Sequence, residues 1–171
     1  MIAALYILGT SHTLQCGSAE CTQASIFAFD TELRKLCAKL KIRCIADEMT
    51  PDGLKLYKVR KTIGERVARD LRIAHHHVDL SLKKRSALSL GETSVAITAM
   101  SCGFGDDGSG FREAFGDLAD GIRERYWIAK ILEIKQWPTL FVCGADHAVS
   151  VRRLWRRLGL EAKVVHLDYE P

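Results

Sequence analysis

Two short runs of this chain, IAALYIL at 2–8 and TLFVC at 139–143, show no polar alternation. A strand with one wet face alternates apolar and polar residues at a period of two, whereas an unbroken apolar run must be covered on both sides. Helical patterns lie between these runs. From 21 to 40, Ile26, Phe29, Leu33, Leu36 and Leu40 recur at steps of three and four, which is the spacing of an amphipathic helix. IRCIA at 42–46 reads as a second strand, after which Pro51 and Gly53 in MTPDGL break the chain.

The rest continues the alternation. Residues 55–73 read as one helix with Ile63, Val67 and Leu71 on one side, and a shorter helix from about 80 to 90 stops at Gly91. A long helix covers 111–135, Pro138 opens the TLFVC strand, 146–158 is helical up to Gly159, and KVVHL at 163–167 is a last strand. IAHHH reads as a strand or a loop, and TSVAITAMSC at 93–102 fits strand and helix equally. Strands alternating with helices predict a single α/β domain over 1–171, in three layers, with a mostly parallel central sheet covered by helices on both faces.

Composition narrows the function classes. No segment approaches the roughly 20 apolar residues of a membrane span, and the opening MIAALYIL has neither a basic start nor a cleavage site. It reads as a strand rather than a leader, so a cytoplasmic protein is expected. The cysteines at 16, 21, 37, 44, 102 and 143 form no C-x-x-C pair. Those at 37, 44 and 143 lie in apolar patterns, as reduced core thiols do, and a zinc knuckle is not indicated. The net charge is +4 with Lys and Arg spread along the chain, so nothing demands nucleic acid. The partner expected is a small-molecule or peptide substrate, and a homo-oligomer is compatible with the composition.

Both apolar runs leave the sheet in the same way. LYIL is followed by Gly9-Thr10-Ser11-His12, and TLFVC by Gly144-Ala145-Asp146-His147. In a parallel sheet the loops after the carboxyl ends of the strands open on one edge, where ligands bind. His12, Glu48 and His147 each follow a strand and are therefore expected to converge there. The glycines permit a tight turn or a close approach as the chain leaves the sheet. Two imidazoles and a carboxylate suit a divalent transition metal (Mn, Zn, Co or Fe) with an open position for water, which the ion acidifies. Glu48 or Asp47 would complete that shell or act as general base, and Asp146 would orient an imidazole. The plainer alternative is that both histidines only hydrogen-bond loop carbonyls.

Strand-GTSH, an acidic residue after the second strand, the helix IRERYWIAKIL at 122–132 and strand-G-x-x-H near the end together resemble the superfamily of TraB and Tiki proteins, erythromycin esterases and ChaN-type haem-binding proteins. The likeness is closer still to small bacterial members with an R-E-R-x-W helix and a C-G-A-D-H ending. It implies catalytic roles for His12, Glu48, His147, Arg123 and Glu124, with Arg125 supporting a bound ligand and Trp127 on the same helix. The implied chemistry varies: Tiki relatives are metal-dependent proteases, the esterases use His and Glu without a metal, and others bind haem. This chain is shorter than most members and lacks the glycine usually found after the final histidine.

Three further segments carry residues suited to chemistry or binding. In HHHVD at 75–79 a strand would put His75 and His77 on one side and His76 on the other. His77 is the preferred ligand-binding residue of the three, against an exposed polar loop. GFGDDG at 103–108 matches G-x-G-x-x-G, but two aspartates beside a phosphate argue against a dinucleotide loop, leaving a cover for the site or a plain linker. VRRLWRRLGL at 151–160 could grip phosphates through Arg152, Arg153, Arg156 and Arg157, or present the wet side of an amphipathic helix. Two functions follow: a small metal-dependent hydrolase acting at His12, Glu48 and His147, or a non-catalytic module binding a nucleotide, haem or other anion in the same cleft.

Overall fold

A computed structural model of the chain describes residues 4–88 and 109–171. Among these residues five strands form one sheet in the order β3-β2-β4-β1-β5, every pairing parallel. They are β1 (Leu5–Thr10), β2 (Cys44–Asp47), β3 (Ala74–His77), β4 (Thr139–Gly144) and β5 (Ala162–Tyr169). The helices among the described residues are α1 (His12–Cys16), α2 (Gln23–Leu40), α3 (Pro51–Leu56), α4 (Ile63–Leu71), α5 (Leu82–Ala87), α6 (Ser109–Ile134) and α7 (Ala148–Arg157). The expected parallel α/β architecture is therefore present, with IAHHH resolved as strand β3. Residues 93–108, which include TSVAITAMSC and GFGDDG, lie outside the described residues.

Two apolar layers sandwich the sheet. On one face Leu8, Ile45, Leu140 and Val142 pack with Leu14 of α1, Phe29 and Leu33 of α2, and Ile63 and Val67 of α4. On the other, Ile7, Ala46, Phe141 and Cys143 pack with Trp127 and Ile131 of α6 and Val151 and Trp155 of α7. Both tryptophans are fully buried. Full burial of such side chains contributes roughly 1.5–3 kcal/mol or more each. This double covering is why β1 and β4 carry no polar alternation.

One helix of the sequence reading divides into two. Residues 55–73 contain the end of α3 and all of α4, because Thr50 and Thr62 each cap a separate helix, accepting the N–H groups of Gly53 and Glu65. Pro51 starts α3 rather than breaking the chain, since its missing N–H falls where a helix has no acceptor for one. Lys58, at φ 55°, turns the backbone out of the helical path between them.

Strand order sets the position of the site. From β1 the chain crosses past β4 to reach β2, through α2 on one face; from β4 it crosses past β1 to β5, through α7 on the other. The chain thus departs in opposite directions from the neighbouring strands β1 and β4, and this opens a crevice outside their carboxyl ends. Gly9 lies within that pair, where a Cβ would fall 2.1 Å from the Leu167 carbonyl oxygen, so β5 could not approach any other residue. No helix among the described residues is long and apolar enough to cross a membrane.

Candidate functional site

The three residues that follow strands meet at this crevice. Ser11 caps α1 by accepting the Leu14 N–H, which makes His12 the first residue of that helix, and His12 Nε2 reaches Glu48 Oε1 at 2.9 Å. Glu48 follows β2 directly, its N–H extending the ladder to the Val142 carbonyl at 3.0 Å. His147 closes a single 3-10 turn, Ala145–His147, between β4 and α7. A Cβ on Gly144 would lie 3.3 Å from His12 Nε2, 3.3 Å from His147 Cδ2 and 3.6 Å from Glu48 Oε2. Both imidazoles and the carboxylate therefore surround one bare backbone position.

Glu48 is the hub. Its side chain is 1% exposed; Oε1 pairs with His12 Nε2 at 2.9 Å and accepts from Arg123 Nη2 at 3.0 Å, while Oε2 accepts the Gly144 N–H at 2.6 Å. Burial alone would raise this carboxyl, but the His12 hydrogen bond and the charges of His12, His147 and Arg123 outweigh it and hold the pKa at about 2. Arg123 also donates to Asp79 at 2.9 Å and Asp120 at 3.0 Å, and its guanidinium lies 4.9 Å above the Trp127 ring. Burial works against its charge, yet Asp79, Glu48 and Asp120 hold its pKa above the ordinary value. Asp79 is itself paired with Arg85.

His147 is oriented from behind. Its Nδ1 lies 3.0 Å from Glu124 Oε1, which also accepts the Ser150 hydroxyl, and its ring stands edge-on to Trp127 at 5.0 Å. Burial would lower its pKa, but the Glu124 hydrogen bond and the Glu48 and Asp120 charges raise it overall, against Arg123. His12 differs in access, with 41% of its side chain exposed. The site thus joins one accessible imidazole, one buried imidazole biased toward its cation, and an ionised carboxylate.

Of the residues named from sequence, His12, Glu48, His147, Arg123 and Glu124 come together. Arg125 does not join them: it is exposed and donates back to the Gly121 carbonyl at 2.8 Å on its own helix. His77 lies elsewhere, with His75 and Asp47. These three carry the group of donor atoms, among the described residues, whose members all lie within 4.8 Å of one another, and they could hold a metal ion. His75 Nε2 is 2.8 Å from Asp47 Oδ2, and His77 Nδ1 donates to the Met49 carbonyl at 2.8 Å. Burial, followed by the neighbouring His75, lowers the His77 pKa against Asp47, the Met49 carbonyl and Glu65.

Asp120 and Ser150, which steady the two flanking groups, and Thr62, which donates to Asp47, are functional neighbours not among the residues expected from sequence. Thr62 had a visible signal, because T-x-x-E at 62–65 is a capping box that fixes a helix start. The described cysteines at 16, 21, 37, 44 and 143 are free. Burial, with a contribution from Asp47, pushes Cys16 and Cys44 up to about 12, so they are unreactive core thiols. Compared with known proteins, the chain matches no family model, curated protein or solved structure.

Proposed function

We propose that this chain is a hydrolase of small ester- or amide-type substrates, with His12, Glu48 and His147 as its reacting centre. The observation that carries the reading is the convergence of two imidazoles and a carboxylate on Gly144 at the sheet crevice. His12, the exposed member, has Nε2 engaged with Glu48; its Nδ1 takes a proton from water as that water adds to the acyl carbon, and returns it to the departing alcohol or amine as the acyl bond breaks. Glu48 orients the ring and stabilises its charged form, and proton transfer by a base positioned in this way contributes about 10²–10⁴-fold. His147 presents positive charge to the oxygen on which negative charge develops, and Glu124 holds the ring in place. Arg123, whose Nη1 and Nη2 donate to Asp120, Glu48 and Asp79, is a positioning residue.

The sequence likeness to TraB/Tiki, erythromycin esterase and ChaN-type proteins rests on these same residues and supports the reading. In the metal-dependent version an ion on His12, Glu48 and His147 would acidify the attacking water. Glu48 would then have to release one of the hydrogen bonds it makes here. Chelator sensitivity that follows His12, rather than His77, would establish that version.

The test is a panel of chromogenic esters, anilides and phosphoesters, assayed with the wild-type chain and with His12→Ala and His147→Ala. The expected result is turnover of one ester or anilide class, reduced about 10²-fold or more in each variant. Undiminished rates in both folded variants would overturn the proposal. No turnover of any class, together with an organic anion co-purifying in stoichiometric amount, would replace it with the ligand-binding module.

A further inference from the structure

On the face of the sheet away from α6, a second polar cluster sits where the surrounding layer is apolar. Parallel pairing sets Ile45 beside His75 and Asp47 beside His77. With a period of two, Asp47, His75 and His77 then share the face that Ile45 turns to the α2 and α4 layer. Glu48, one residue on, faces Arg123 instead. We propose that Asp47, His75 and His77, with Glu65 as fourth ligand, form a binding site for one first-row divalent transition metal, zinc in the first place, separate from the His12 centre.

Four observations converge. First, His77 Nδ1 donates to the Met49 carbonyl at 2.8 Å, which leaves Nε2 with a lone pair. Metal-ligating histidines are fixed in this way, one nitrogen donating to a carbonyl while the other binds. Second, Glu65 Oε2 lies 3.8 Å from that Nε2, and its other oxygen is held by Lys61 at 2.9 Å. Third, Asp47 Oδ2 takes His75 and Thr62, whereas Oδ1 is buried with no hydrogen-bond partner on a side chain that is 1% exposed. An unpaired buried carboxylate oxygen is costly, and a cation removes that cost. Fourth, the set is two imidazoles and two carboxylates, which suits zinc and its neighbours rather than magnesium or calcium.

The donors need only a small closure. Those of Asp47, His75 and His77 lie within 4.8 Å of one another, and tetrahedral zinc with bonds of about 2.0–2.2 Å wants them roughly 3.3–3.6 Å apart. His77 and Glu65, with side chains 19% and 24% exposed, can turn toward the buried Asp47. The ion takes the place of the proton between His75 Nε2 and the Asp47 carboxylate and is bound through both carboxylate oxygens, so that Oδ1 gains the partner it lacks, and the displaced proton leaves to solvent or moves to Nδ1. The bound metal would tie β2, β3 and α4 together immediately beside Glu48.

The experiment is a Co²⁺ titration of untagged, chelator-treated chain, followed by visible absorption, with Zn²⁺ added as competitor and circular dichroism checking that each variant folds. One equivalent of Co²⁺ with the strong absorption of tetrahedral nitrogen and oxygen coordination, displaced by Zn²⁺, is expected. His77→Ala and Asp47→Asn should weaken binding at least 10-fold, and Glu65→Gln should weaken it less. His76→Ala, on the other side of the same strand, and His12→Ala should bind as the wild type does. If Asp47→Asn does not fold, the partly exposed His77 decides the matter. Absence of a Co²⁺ spectrum in the wild type, wild-type binding by His77→Ala, or a loss that follows His12→Ala would each overturn the site. None of these outcomes depends on hydrolysis.

Discussion

Replacing Glu48 by Gln in the chelated protein should cost about 3 kcal/mol at pH 7. The carboxyl is held at about 2 against an ordinary 4.5. A shift of that size corresponds to about 3 kcal/mol of stability that the ionised group contributes to the folded state. With 1% of the side chain exposed, solvent does little to screen this contribution. The amide also meets the wrong partners: its NH2 must face either the Gly144 N–H or the Arg123 guanidinium, donor against donor. Because the folded pKa is lowered, the contribution is complete above pH 4.5 and is lost as pH falls toward 2. Urea unfolding at a series of pH values should therefore show a gap between wild type and Glu48→Gln of about 3 kcal/mol at pH 7. For a chain of this length that corresponds to about 6–12 °C in Tm. The gap should shrink on acidification. A gap below about 1 kcal/mol at neutral pH, or one independent of pH, would refute the reasoning.

Gly144→Ala should fold, since its φ of −57° and ψ of 142° suit any residue. The added methyl, 3.3 Å from both imidazoles, should displace them and lower kcat by about 10²-fold with little change in Tm, as kinetics and thermal unfolding will show. Glu124→Gln should lower the His147 ring pKa, read by NMR titration. The elevated pKa of that ring stabilises the fold below the unfolded value and ceases to do so as pH rises through the folded one, so the variant should lose stability mainly on the acid side. Trp127→Ala, which removes a fully buried side chain touching Phe141, His147 and Arg123, should cost about 3–5 kcal/mol in urea unfolding.

Much of the fold was legible because burial leaves a local signature. The unbroken apolar runs at β1 and β4 announced a sheet covered on both faces, and Gly-x-x-His marked where each leaves it. The order of the strands was not legible, since the insertion of β4 between β2 and β1 is fixed by contacts across most of the chain. The same limit applies to the site. His12, Glu48 and His147 were named from their places after strands, but the arginine that holds Glu48 comes from α6, 75 residues away. Arg125 shows the converse: two positions along a helix is a rotation of about 200°, so it faces away from the groups that Arg123 and Glu124 reach. Asp47 and Glu48 are adjacent in sequence and serve different clusters, because successive residues leaving a strand point to opposite faces.

The central claim is that His12 and Glu48 act as one unit at the sheet crevice. The most direct measurement is a double-mutant cycle on kcat/KM, with His12→Ala, Glu48→Gln and their combination, using whichever substrate class the panel identifies. Residues that work together are not additive, so the double variant should be no slower than the worse single one, within about threefold. Losses that multiply, or single variants that retain the wild-type rate, would contradict the account.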